Sequence, residues 1–179
     1  METTIYILLA LLALSLVASG VLTLVKGRLP GSVLLWVAGL ALGTLLVIVS
    51  GLFWVGLLMP DTYDSQAGGI LTLVAFLPFF AVSGLLIGAW SVAWGYFLAP
   101  SPSSILWFQG VGLLGSVVLG GLLPGLIALA LSYGAQPLET YDPDQSLNLI
   151  IPAIAVLIGG SITAPIAHGL TLLVMRRFS

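Results

Sequence analysis

Five apolar runs, each long enough to cross a bilayer, constrain this chain more than anything else in it. They are Ile5–Val25, Gly31–Met59, Gly69–Leu98, Ser104–Tyr133 and Leu147–Met175, separated by Lys26-Gly27-Arg28, Asp61–Ala67, Pro100–Ser103 and Gln136–Ser146. A spanning helix needs roughly 20 apolar residues at about 1.5 Å of rise each. Runs two to five exceed that, so their helices must tilt, kink or protrude, yet cutting any in two leaves pieces too short to span. The expected fold is an all-α integral membrane protein. Residues 1–179 make one transmembrane domain: a bundle of five helices over 5–25, 31–59, 69–98, 104–133 and 147–175, with short loops.

Composition closes off the alternatives. Hydrophobic residues are 60% and charged residues 6% of the chain, against roughly a quarter charged in soluble domains. Four basic and six acidic side chains cannot cover the surface of a water-soluble fold of this size. A soluble enzyme, a disordered protein and a nucleic-acid binder are excluded together, the last also because four bases make no phosphate-binding patch. With no cysteine, there is no disulfide framework, thiol nucleophile or thiolate metal site. Within the first run, Val17-Ala18-Ser19-Gly20 puts small residues after an apolar stretch, as at a signal-peptidase site, but the only early side-chain charge is Glu2, with Lys26 and Arg28 after the run. A signal peptide carries its basic residues before the run, so the first helix is expected to be retained.

The charges sort by side. Five spans put Lys26, Arg28, Arg176 and Arg177 on one face, and Glu2, Asp61, Asp64, Glu139, Asp142 and Asp144 on the other. Random placement would give this about once in 210 arrangements, and basic residues mark the cytoplasmic face. The expected orientation is N-terminus outside and C-terminus cytoplasmic. Trp36, Trp90, Trp94, Tyr96 and Trp107 fall near the cytoplasmic ends, and Tyr6, Trp54, Tyr63, Tyr133 and Tyr141 near the outer ones, as interfacial aromatic belts do. Trp90 and Trp94 could also stack on a cofactor, being four residues apart, although belt anchoring accounts for them. The membrane is expected to be a prokaryotic inner membrane or an organellar one, such as a thylakoid.

Lipid gives helices no hydrophobic reason to associate, so small residues that let backbones approach should set the packing. Span two carries Gly39, Gly43 and Ser50; span three Ala81, Gly84, Gly88, Ser91 and Gly95; span four Gly121, Gly125, Ala128 and Ser132; span five Gly160, Ala164, Ala167 and Thr171. Span one has only Gly20 and should be peripheral. Pro78, Pro124, Pro152 and Pro165 should each leave a carbonyl without its helical partner. Such kinks can act as hinges, but neighbours commonly re-satisfy the backbone.

Two outer loops share a pattern: Asp61-Thr62-Tyr63-Asp64 resembles Glu139-Thr140-Tyr141-Asp142, and Asp144 follows. The helices before them also open alike, with Trp36 and Trp107 each three residues before a glycine, Gly39 and Gly110. This suggests a parallel repeat of 30–98 and 102–175, of the kind that can place a substrate path at the repeat interface. Against it, the tryptophan-to-acid separations differ and spans three and five align poorly. The acidic loops could hold a hard cation through oxygen ligands or face a partner protein. The plainer explanation is solvated turns anchored by tyrosine.

No Asp, Glu, Lys or Arg lies in the middle of a span, which argues against a proton-coupled transporter but not against a carrier of neutral or apolar molecules. His168 is the ionisable group at depth, on a face with Ala164 and Thr171. It could be an axial ligand to a haem or pigment metal, but a bond to a neighbouring helix's hydroxyl or carbonyl is the commoner fate of a lone buried histidine. Ser50 lies at the wrong end of its span to pair with His168 in intramembrane proteolysis; Ser83 is nearer mid-depth, but no oxyanion donor or orienting acid accompanies it. No catalytic residue, metal site or cofactor is therefore expected. The leading expectation is a non-catalytic accessory, assembly or scaffold subunit acting through helix packing and the acidic outer loops. Its partners would be the bilayer and either other membrane subunits or copies of itself. Alternatives are a small carrier or channel for a neutral or lipophilic solute, and a haem-, pigment- or quinone-binding subunit built on His168.

Overall fold

A computed structural model describes residues 2–26, 31–58, 66–98, 105–134 and 143–178. All of them are helical. Helix α1 is Glu2–Lys26, α2 Gly31–Leu58, α3 Gln66–Leu98 and α4 Ile105–Val117; a π-helical turn, Val118–Leu122, joins α4 to α5, Leu123–Gly134; α6 is Pro143–Phe178. Counting α4, the π turn and α5 as one continuous segment, five helices among the described residues are long and apolar enough to cross a membrane. Helix α6, at 36 residues, is about 54 Å long, well beyond a hydrocarbon core of about 30 Å. It opens on Pro143, a residue suited to the first helical position because no partner for its missing N–H is needed there.

Helix α3 is the hub. It packs against α1, α2, α4 and α6, and Ser83, Gly84, Leu86, Ile87, Gly88, Ala89, Ser91 and Val92 bury it on several faces at once. The main core joins Val47 and Val55 of α2, Phe76, Phe80 and Ile87 of α3, Ala128 of α5, and Ala153, Ala155, Val156, Ala164 and Ala167 of α6. Alanines make up much of that list because dispersion between close backbones, not expulsion of water, is what lipid leaves to drive packing.

Helix α2 is buried along one stripe only: Ser32, Gly39, Gly43, Val47, Gly51 and Val55. After Gly39 the spacing is four residues throughout, so the stripe continues at Gly51, where Phe80 lies directly against the backbone. Ser50, its expected continuation, turns out of the stripe and is half-buried. The rest of α2 faces outward, including Leu34, Leu45, Val49 and Phe53. Helix α1 is similarly exposed along Tyr6, Leu14, Val17, Val21 and Val25, and meets the bundle through residues such as Leu8, which clusters with Leu86 and Ile127. Peripheral placement therefore describes both N-terminal helices, although α2 shares a long seam with α3 and α1 does not.

Candidate functional site

Among the described residues, polar clusters inside the bundle include two in which a backbone or side-chain group meets a partner from another helix. The first surrounds the π turn. Pro124 has no N–H, so the carbonyl four residues back, Gly120 O, loses its helical donor. The Leu123 N–H reaches past the usual acceptor to Val118 O, which widens the turn by one residue. Ser83 of α3 donates its hydroxyl to Gly120 O. Gly121 lies against Ser161 and Gly160 against the Gly120 carbonyl, where a Cβ would stand 2.8 Å from that oxygen. Among the described residues Ser161 Oγ, which is buried, has no hydrogen-bond partner. The arrangement resolves a proline defect by borrowing a donor from a third helix, as backbone breaks inside membranes require.

The second cluster is centred on His168, buried at 1% exposure. Its Nδ1 lies 2.9 Å from Ser91 Oγ. The Ser91 hydroxyl donates to Ile87 O at 2.6 Å, so its proton is committed and its lone pair must accept from the ring. The hydrogen-bond network thus assigns the Nδ1–H tautomer to the neutral ring and leaves Nε2 an unprotonated acceptor. Among the described residues Nε2 has no hydrogen-bond partner. The ring is held between two helices: Nδ1 faces α3, while Nε2 faces α4 at Gly112, where a Cβ would stand 2.8 Å from it. Beside it, Trp90 and Trp94 stack with ring centroids 5.2 Å apart, and Trp90 Nε1 donates to Gly112 O at 2.8 Å. Trp36 likewise donates to Ser19 Oγ at 2.9 Å. Whatever their depth, these indoles also tie helices together.

A groove opens beside this cluster, between α4 and α6. It encloses about 260 Å³ and is lined by Gln109, Leu113, His168, Gly169, Leu172 and Leu173. Gly169 is exposed and has nothing within 4 Å of where a Cβ would project.

The proton order in the second cluster bears on catalysis. A general base takes the nucleophile's proton; here His168 donates to Ser91, and Ser91 donates to the backbone. A haem on Nε2 would require α4 to move away, since the backbone at Gly112 stands beside that atom. No group of three His, Cys, Asp or Glu side chains that could hold a metal occurs among the described residues.

The residues singled out in the sequence divide sharply. Asp61, Thr62, Tyr63, Asp64, Glu139, Thr140, Tyr141 and Asp142 lie outside the described residues; Asp144 falls in the first turn of α6, and its side chain is outside them too. The glycines Gly39, Gly43, Gly84, Gly88, Gly121, Gly125 and Gly160 all face other helices at close range. The two glycines that the repeat alignment pairs differ: Gly39 meets Val92 and Thr171, while Gly110 faces open space. Sequence reasoning placed Ser91 only in a packing stripe and overlooked Gln109, the one amide side chain in the run 104–133, which could have marked the groove. No family model, curated protein or solved structure matches the chain.

Proposed function

We propose that this chain is a non-catalytic multi-pass membrane protein, N-terminus outside and C-terminus cytoplasmic, that serves as an accessory, assembly or scaffold subunit. The observation that carries this reading is the way the interior is filled. Where α2 meets α3, and where the π turn and α5 meet α6, backbone lies against backbone: a Cβ at Gly43 would stand 2.5 Å from Gly84 O, one at Gly88 2.7 Å from Gly39 O, and one at Gly125 2.5 Å from Leu157 Cα. Such seams make a stiff body without mid-span charges, and stiffness suits a part that holds neighbours in place. The long apolar faces of α1 and α2 would then meet lipid or partner helices, and the acidic outer loops would present a negative face to a partner outside.

The test is native mass spectrometry after gentle extraction of the protein from its own membrane. Co-release of different polypeptides in fixed ratio is the expected result. Release as a monomer or homo-oligomer from intact membranes overturns the subunit reading.

A further inference from the structure

We propose that the groove between α4 and α6 seats one acyl chain of an anionic glycerophospholipid, whose phosphate pairs with Arg177. The site does not depend on the subunit reading, and it leaves His168 Nε2 closed against α4. Its chemistry is ordered along the helix axis. Gly112 lies against His168, Gly121 against Ser161 and Gly125 against Leu157, so the α4–α5 segment and α6 run antiparallel. The start of α4 therefore lies beside the end of α6. The groove's walls are Leu113, Leu172 and Leu173, and Gly169 leaves room between them, being exposed with open space where a Cβ would project. Polar groups come at the outer end. Gln109 stands one turn before Leu113 and the exposed Arg177 one turn after Leu173, each about 6 Å nearer the membrane face.

A phospholipid carries its groups in the same order: apolar chain, ester carbonyls, then phosphate. The carbonyls accept from the Gln109 amide, and the phosphate accepts from the guanidinium with charge to match. The antiparallel pairing sets Gln109 level with the turn at Leu172, about 7.5 Å short of Arg177 along the axis. A fatty acid ends in one carboxylate and would leave one of the two unused. At about 260 Å³ the groove is smaller than pockets that enclose a drug-sized molecule, which start at roughly 300 Å³. It takes a stretch of one chain, the other staying in the bilayer. Segments 26–30 and 99–104, at this end of the bundle, hold Lys26 and Arg28 and no acid, which favours a net-negative headgroup over a zwitterion. A helix C-terminus favours an arginine in any case, but that leaves the alignment of Arg177 with a groove unexplained.

The test uses the full chain in phosphatidylcholine nanodiscs with a trace of phosphatidylglycerol carrying a photoreactive diazirine in one acyl chain. After illumination, peptide mass spectrometry should find saturable labelling concentrated in 109–113 and 169–173. Arg177→Gln should weaken it about 5-fold, one basic residue near the headgroups being worth about 1 kcal/mol. Gly169→Leu meets no neighbour at its Cβ, so melting should hold while labelling weakens about 10-fold or more, the new side chain taking the lipid's space. Lys26→Gln, at the same membrane face but outside the groove, should leave labelling unchanged. Labelling spread evenly over the lipid-facing helices would overturn the site. So would equal labelling by the phosphatidylcholine analogue, a loss with Lys26→Gln equal to that with Arg177→Gln, or undiminished labelling in Arg177→Gln or Gly169→Leu. Competition by oleic acid as strong as by unlabelled phosphatidylglycerol would overturn the phospholipid in favour of a fatty acid.

Discussion

The α2–α3 seam and the seam between the π turn with α5 and α6 use the same residue for different ends. In the first, Gly43, Gly84 and Gly88 bring two uninterrupted α-helical stretches together, and even the nearby Thr44 hydroxyl turns back on its own helix, to Leu40 O at 2.8 Å. In the second, Gly121, Gly125 and Gly160 bring a broken helix against α6, and the break is mended by Ser83 from α3. Glycine alone therefore gives proximity; glycine with proline gives proximity plus a backbone carbonyl in need of a donor. The first seam is complete as a pair of helices, whereas the second requires three.

That contrast can be broken most severely at Gly84. Gly84→Leu forces a side chain into the backbone at Gly43 and Thr44, where no rotamer change can relieve the clash. It should cost about 3 kcal/mol or more, seen as a large drop in melting temperature or loss of folded protein in detergent. At the second seam the defining measurement is a double-mutant cycle. Ser83→Ala should cost about 1–2 kcal/mol in reversible denaturation, because Gly120 O is left without a donor. In a Pro124→Ala background the restored N–H can serve that carbonyl, and the Ser83→Ala cost should fall to near zero. Additive costs would mean that the serine serves some need other than the proline defect. The smallest effect should come at the open glycines: Gly110→Leu, which meets nothing, should stay within about 0.5 kcal/mol of the parent. A larger loss there would show that openness at Cβ does not separate seam glycines from the rest.

The helices were legible because apolar length is a one-dimensional property: each run is long and the breaks between them carry the charges. The first seam was partly legible, since Gly39 and Gly43, and Gly84 and Gly88, already stand at four-residue intervals. Its continuation was not: choosing Gly51 over Ser50 depends on where Phe80 lies, a contact between helices that no spacing within α2 records. The π turn left only the hint of Pro124, because adding one residue to a turn changes no residue type. His168 could be recognised as a deep polar group, but its partner could not. Ser50 and Ser83 drew attention as possible nucleophiles, whereas Ser91 reads as one more small residue until α6 is placed against α3. The acidic loop pattern lies outside the described residues, save Asp144 at the first turn of α6.

The position of α1 has a consequence for biosynthesis. It lies mostly against α3 and less against α2, its neighbour in sequence, to which the Trp36–Ser19 bond ties it. A ribosome making about 5–20 residues per second needs about 4–14 s to travel from the end of α1 at residue 26 to the end of α3 at residue 98. For that interval α1 would lack its main partner, with α2 as its nearer neighbour. The expected order is therefore that α2 and α3 pair before α1 takes its place against α3.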